Sequence, residues 1–100
     1  QVVELCCVNP AKVFNLYPQK GNIQPGADGD LVIFDMNDKT VVDWKKNYSQ
    51  SRAIAKVYDG WELNCKLNYT VLRGKIVMKD GIVDPIGDGT KGWGKLVLKK

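Results

Sequence analysis

Three β-rich runs joined by two short links constrain the fold of this chain more than any other feature. The runs are residues 69–72, 75–78 and 82–83, and the links are Arg73-Gly74 and Asp80-Gly81. Two-residue links that contain glycine are typical of the tight turns between adjacent antiparallel strands. The pattern therefore predicts a three-stranded antiparallel meander.

Further strands are expected on both sides of this meander. The apolar residues 31–34, which lie between two aspartates, predict a strand buried on both faces. Residues 40–44 predict a second strand, and residues 96–98 predict a short final one. A mainly β chain with a buried central strand needs a second layer of structure against it. We expect the 100 residues of this chain to be short of strands for that layer.

Outside the strands, the sequence predicts one short helix and two irregular stretches. Asn9 followed by Pro10 is a strong helix start, with asparagine as the N-cap. The asparagine side chain accepts a hydrogen bond from a free backbone N–H, and proline has no N–H to leave unpaired. We expect Pro18 to end the helix. Residues 45–60 are polar and predicted to be irregular, and the glycine-rich residues 85–94 are predicted to be a loop.

The chain contains no histidine, which excludes several kinds of active site from it. A Ser-His-Asp triad, a Cys-His pair, a histidine metal site and histidine general-base catalysis all need an imidazole. The aspartates stand at turns and strand ends, where turn formation accounts for them. We therefore predict no catalytic residue and no metal ligand within the chain.

The cysteines favour a reducing compartment. Cys6, Cys7 and Cys65 are odd in number, two of them are adjacent, and they form no CxxC motif. A secreted disulfide scaffold normally has an even, spaced set. The prediction is three buried free thiols in the cytoplasm, with a redox role for Cys6 and Cys7 as the alternative.

The distribution of charge and apolar residues argues against nucleic-acid and membrane partners. The net charge of +4 comes from basic residues interleaved with acidic ones, concentrated only at Lys45-Lys46 and in the tail. No apolar run approaches the roughly 20 residues that span a bilayer. The first residues resemble the interior of a longer chain rather than a signal peptide. Trp93, flanked by two glycines, predicts either a subunit contact or a cover for its own domain.

Three segments are distinctive when they are taken together. They are the segment from Asn9-Pro10-Ala11-Lys12 to Gly21, the segment from Ile23 to Asp35, and Gly60-Trp61-Glu62-Leu63 followed by residues 70–81. In this order and spacing they resemble the C-terminal end of the cyclic amidohydrolases. Hydantoinase and dihydropyrimidinase are the best match, and allantoinase and dihydroorotase are near. The resemblance covers nearly the whole chain.

The resemblance implies a larger protein, in which a (β/α)₈ barrel with a two-metal centre, usually zinc, lies beside a small β-sandwich. Residues 1–20 would be the junction and last helix of the barrel, residues 21–84 sandwich strands, and residues 85–100 a C-terminal tail. The family's metal ligands are histidines, a carboxylated lysine and an aspartate, all upstream of this region. The metals activate a bridging water that attacks the ring carbonyl of a cyclic amide. The implied parent is a cytoplasmic homo-oligomer in which this segment is scaffold and pocket wall.

One functional residue carries over from the resemblance. The matching asparagine in hydantoinases contacts the amide of the cyclic substrate through its backbone, and its position here is Asn9. The chain also departs from the family pattern. Asn15 stands where glycine is usual near a helix end, Gly29 stands where alanine is usual, and Cys6-Cys7 replaces small polar residues. These departures concern helix capping and loop stiffness.

Two other classes of function stay open at this point. A non-catalytic dihydropyrimidinase-related scaffold protein would share this region of the family. An independent β interaction module would instead bind a partner, such as nucleic acid through the basic tail, with an affinity that falls as salt rises.

Overall fold

The computed structural model describes residues 1–85, 87 and 92–98. A helix at the start is followed by six strands and two 3₁₀ segments. In chain order the elements are a π-helical turn (Glu4–Val8), α1 (Asn9–Val13), β1 (Leu31–Asp35), β2 (Thr40–Val41), a 3₁₀ turn (Trp44–Lys46), a 3₁₀ segment (Arg52–Tyr58), β3 (Glu62–Leu63), β4 (Lys66–Leu72), β5 (Lys75–Lys79) and β6 (Ile82–Val83). The prediction of a mainly β chain with one short helix at its front is confirmed.

The predicted meander is present as β4, β5 and β6, which pair antiparallel in sequence order. Both links have two successive residues with positive φ, 46° and 79° at Arg73 and Gly74, and 47° and 79° at Asp80 and Gly81. Positive φ at both central residues is the turn geometry whose twist matches that of the flanking strands. The two-residue links therefore set the register of the sheet.

The predicted strand at residues 31–34 is also present, as β1, and it pairs antiparallel with β4 to give the sheet order β1-β4-β5-β6. The prediction that both faces of β1 are buried is wrong for this chain. Val32 is 52% exposed and Phe34 is 55% exposed. Within the described residues no second layer covers the sheet. The apolar side chains of β1 therefore remain in contact with solvent.

Three predictions about the rest of the chain need correction. The strand predicted at residues 40–44 is reduced to β2, which pairs with β3, because the Asp43 carboxylate accepts the N–H of Lys45 at 3.0 Å and starts a 3₁₀ turn. The irregular stretch at 45–60 contains the longer 3₁₀ segment. Residues 96–98 form no strand. Half of the predicted loop at 85–94, residues 86 and 88–91, lies outside the described residues.

The helix begins earlier than predicted, and Asn9 is not its N-cap. Asn9 has helical backbone angles (φ −64°, ψ −46°), and its N–H donates to the carbonyl of Glu4. An N-cap residue would have a non-helical backbone. The turn before Pro10 is widened to the π form. A widened turn accommodates a proline ring that would otherwise press on the carbonyl four residues earlier.

The helix also ends before Pro18, at Val13, through a left-handed residue. Asn15 has φ 55°. The N–H of Leu16 donates to the carbonyl of Ala11 at 2.7 Å, and the N–H of Asn15 donates to that of Lys12 at 3.1 Å. This hydrogen-bond pair is the Schellman motif. Asparagine is the residue after glycine that best tolerates this backbone, so the departure from the family pattern at Asn15 is structurally accommodated.

The chain exposes more surface than a folded protein of its size. Its accessible surface is 7940 Å², whereas a compact monomer of this mass exposes about 5,700 Å². Its radius of gyration is 15.2 Å, against about 13 Å for a compact domain of this length. Ala11, 6% exposed, is the single buried residue in the described part of the chain. These residues therefore form a sheet and a helix without a core of their own.

Candidate functional site

The structure places Asn9 on an exposed part of the helix. Its backbone N–H is already engaged by Glu4, so its carbonyl is the backbone group with capacity for a further contact. Asn9 does not line the groove beside the helix. Whether it contacts a substrate stays a prediction.

That groove, called here the helix-side groove, has a volume of about 560 Å³ and runs between the helix, the loop at 18–30 and β1. Its walls are mainly apolar, with Phe14, Leu16, Ile23, Val32 and Phe34 among them. Charged side chains stand among these apolar walls. The groove is an apolar surface open to solvent, of the kind that packs against other protein or encloses part of a ligand.

Gly21 brings the loop against the helix at the base of this groove. Its φ is +85°, and a Cβ at this position would lie 2.6 Å from the Cβ of Ala11 and 2.7 Å from the carbonyl oxygen of Cys7. Both contacts are far inside van der Waals distance, and one of them is to helix backbone. Only glycine fits here, and it lets the loop turn back across the helix.

A cluster of three charged residues holds the loop next to β1. The Lys20 ammonium lies 2.8 Å from Asp28 and also pairs with Asp30, and the Gln19 side-chain amide donates to Asp28 at 3.1 Å. Partial burial disfavours the charged lysine, yet the hydrogen bonds and charges of the two aspartates outweigh it and raise the pKa of Lys20. Hydrogen bonds from Lys20 and then Gln19 lower the pKa of Asp28.

The cluster continues into the β4–β5 turn. The second carboxylate oxygen of Asp30 accepts the backbone N–H of Arg73 at 2.8 Å, and the N–H of Gly74 donates to the carbonyl of Gly29 at 3.0 Å. Sequence reasoning missed this contact because it joins residues 43 positions apart. Its purpose is structural: it fixes the loop and the hairpin to each other.

Trp93 packs on this same hairpin. Its indole N–H donates to the carbonyl of Leu72 at 2.8 Å, and its ring lies 4.9 Å from both the Arg73 guanidinium and the Lys75 ammonium. The Arg73 guanidinium also donates to the carbonyl of Trp93. Of the two alternatives for Trp93, the structure shows a contact within the chain. A subunit contact stays untested.

The described residues do not bring together the ligands of a metal. No three His, Cys, Asp or Glu side chains in residues 1–85, 87 and 92–98 form a group that could hold an ion. The prediction of buried thiols is wrong for this chain, because Cys6 and Cys7 are exposed and Cys65 is half-buried. The residues present therefore fit neither a metal centre nor a histidine-dependent site.

With this geometry in view, comparison with known proteins identifies the family. The model of the Amidohydrolase family matches residues 1–77. This chain belongs to the amidohydrolase family. The resemblance to the cyclic amidohydrolases is thereby confirmed.

Individual amidohydrolase relatives extend the match over most of the chain. The chain is 39% identical to L-hydantoinase of Paenarthrobacter aurescens, in an alignment that covers 83% of the chain. It is 40% identical to Protein unc-33 of Caenorhabditis elegans, in an alignment that covers 81% of the chain. The solved L-hydantoinase (dihydropyrimidinase) from Arthrobacter aurescens superposes with a TM-score of 0.69 over 82% of the chain, at 37% identity. The chain spans only 18% of the two hydantoinase chains and 9% of Protein unc-33.

In the part of this amidohydrolase chain that the structure describes, no helix combines the length and the apolar character needed to cross a membrane.

Proposed function

We propose that this chain is the C-terminal part of a metal-dependent hydrolase that opens cyclic amides of the hydantoin or dihydropyrimidine class. The observation that carries the proposal is the family match over residues 1–77 together with 39% identity to an L-hydantoinase. A hydrolase acting on cyclic amides is the activity that this likeness supports.

The proposed role of these residues is scaffold and pocket wall. Two features support it: the excess of exposed surface and the open helix-side groove, both of which suit a segment that packs against the rest of a longer enzyme. Because the chain has no histidine, a catalytic metal would be held by residues elsewhere in that enzyme. Zinc as the metal, a homo-oligomeric assembly and a cytoplasmic location belong to the same proposal. So does the division into a barrel junction at 1–20, sandwich strands at 21–84 and a tail at 85–100.

Asn9 is proposed to contact the ring amide of the substrate through its backbone. The exposed position of Asn9 is compatible with this contact. Since a backbone contact survives a change of side chain, we expect Asn9→Ala in the full natural chain to leave KM within about twofold. A rise in KM of about tenfold or more would instead indicate a side-chain hydrogen bond worth over 1 kcal/mol.

The activity itself is tested on the full natural chain that carries these residues. Hydantoin and dihydrouracil are offered as substrates, and bound metal is measured by elemental analysis. We expect ring opening and stoichiometric metal, and we expect the 100-residue polypeptide alone to be inactive. Turnover by that polypeptide alone would contradict the scaffold role.

A second candidate is the same region of a non-catalytic relative. Its support is that the chain is as similar to Protein unc-33 (40% identical), whose name states no enzymatic activity, as it is to the L-hydantoinase (39% identical). A full natural chain that holds no metal and opens neither ring would favour this candidate. Binding of RNA or DNA that weakens with salt would favour an independent interaction module instead, and we expect no such binding.

A further inference from the structure

A second concave surface lies away from the helix-side groove and shares no residue with it. This basic cleft, of about 900 Å³, lies between the chain around the first 3₁₀ turn and the β5–β6 turn. Lys45, Lys46 and Arg52 line it, together with one carboxylate, that of Asp80. The proposed ring-opening function uses none of these residues.

The charges of the basic cleft are poorly compensated. The Lys46 ammonium forms a long ion pair, 3.9 Å from the Asp43 carboxylate, and the Lys46 side chain is exposed. Neither Lys45 nor Arg52 has an ion-pair partner among the described residues. Three cations against one carboxylate give the cleft a positive potential, and a concave shape concentrates that potential more than a flat surface does. An anion that enters therefore gains from several charges at once.

The two walls of the cleft are held together. The hydroxyl of Tyr48 donates to the carbonyl of Gly81 at 2.9 Å, which ties the basic segment to the β5–β6 turn. On the basic segment, the N–H of Ser49 is accepted by the Asn47 side chain at 3.0 Å, and the N–H of Arg52 by the carbonyl of Ser49 at 3.1 Å. These hydrogen bonds order the chain between the two 3₁₀ segments, and Lys45, Lys46 and Arg52 line the cleft on this side.

We propose that this basic cleft binds a small molecule that carries a phosphoryl group. A guanidinium and two ammonium groups suit a multiply charged phosphate better than a single carboxylate, since Arg52 can engage two phosphate oxygens and the lysines add charge. Asp80, at the opposite wall, can accept a hydrogen bond from a hydroxyl of the same ligand. The cleft is a second site, independent of ring opening.

The test is calorimetric titration of the full natural chain with pyrophosphate and, separately, with a nucleoside diphosphate. We expect saturable binding that weakens as salt rises. Arg52→Gln should weaken it about tenfold, the size of one charge-assisted hydrogen bond. Lys39→Gln is the matched control: it removes one positive charge outside the cleft, from a lysine paired with Glu62 at 2.7 Å.

If pyrophosphate and the nucleoside diphosphate bind with equal affinity, the cleft recognises the phosphates alone. If the nucleoside diphosphate binds more tightly, the cleft also contacts the nucleoside. Both outcomes support the site. The proposal is overturned if pyrophosphate shows no saturable binding at low salt. It is equally overturned if Arg52→Gln and Lys39→Gln weaken binding to the same degree, because the effect would then be one of net charge alone.

Discussion

Replacing Gly21 by alanine tests the close packing of the loop on the helix. The added methyl would meet Ala11 and the carbonyl of Cys7 at 2.6 and 2.7 Å. It would also sit on a backbone with φ +85°. Gly26 provides a matched control, because its φ is +90° but a Cβ there meets nothing within 4 Å.

The two substitutions separate backbone strain from overlap. The left-handed backbone costs an alanine about 1–2 kcal/mol at either position. At Gly21 the overlap forces the helix and loop apart, and overpacking of this kind costs about 1–3 kcal/mol more. We therefore expect Gly21→Ala to lower the free energy of unfolding by about 2–5 kcal/mol, and Gly26→Ala by about 1–2 kcal/mol.

The measurement is urea unfolding of both variants in the full natural chain, compared through midpoints at a common slope. Amide exchange of residues 9–13 gives a local readout, because opening of the helix from the loop should speed it in Gly21→Ala alone. If the two variants lose the same stability and exchange alike, the loop does not pack on the helix as described.

The remaining predictions concern the helix end at Asn15, the Trp93 contact, and the charged groups Asp28 and Lys20. Asn15→Gly should stabilise the chain by up to about 1 kcal/mol in urea unfolding, because glycine adopts the left-handed helix end without strain; a loss of stability would contradict the Schellman assignment. Trp93→Ala should cost about 1–2 kcal/mol by the same assay, and Trp93→Phe should cost less because the ring stays between its two cations while the indole N–H is lost. The pKa of Asp28 is lowered from 3.8 in the folded chain, so its ion pair should add to the free energy of unfolding above pH 3.8. This contribution should disappear as the pH falls through the folded pKa of Asp28. The pKa of Lys20 is raised from 10.5, so its contribution to the free energy of unfolding should be present below pH 10.5. It should disappear as the pH rises through the folded pKa of Lys20. Asp28→Asn should therefore flatten the acid side of a stability-pH curve.

The features that sequence reasoning located are those with local causes. The meander follows from turn chemistry at Arg73-Gly74 and Asp80-Gly81, where two residues alone determine how the strands join. The run of four apolar residues between Asp30 and Asp35 likewise located β1. In each case the decisive interactions lie within a few positions of one another along the chain.

The features that sequence reasoning missed depend on contacts with residues far away in the sequence or outside the described residues. The N-cap prediction at Asn9 failed because the preceding residues are also helical and Pro10 is tolerated through a widened turn. The burial predicted for β1 requires a second layer that the described residues do not supply. The position of Asp30 in the sequence predicted only a turn. Its contacts with Lys20 and with the backbone N–H of Arg73 depend on the three-dimensional position of the β4–β5 hairpin, which the sequence pattern does not give.

The order of strands in the sheet has a consequence for synthesis of the chain. β1 pairs with β4, and the paired residues lie 31 to 40 positions apart in the sequence. A ribosome adding about 5–20 residues per second needs roughly two to eight seconds to deliver that partner. Through this interval the sequence Leu-Val-Ile-Phe emerges with an unpaired edge, the kind of segment that recruits other nascent chains. The aspartates on either side of it, Asp30 and Asp35, are the nearest charges that keep it solvated until β4 has been synthesised.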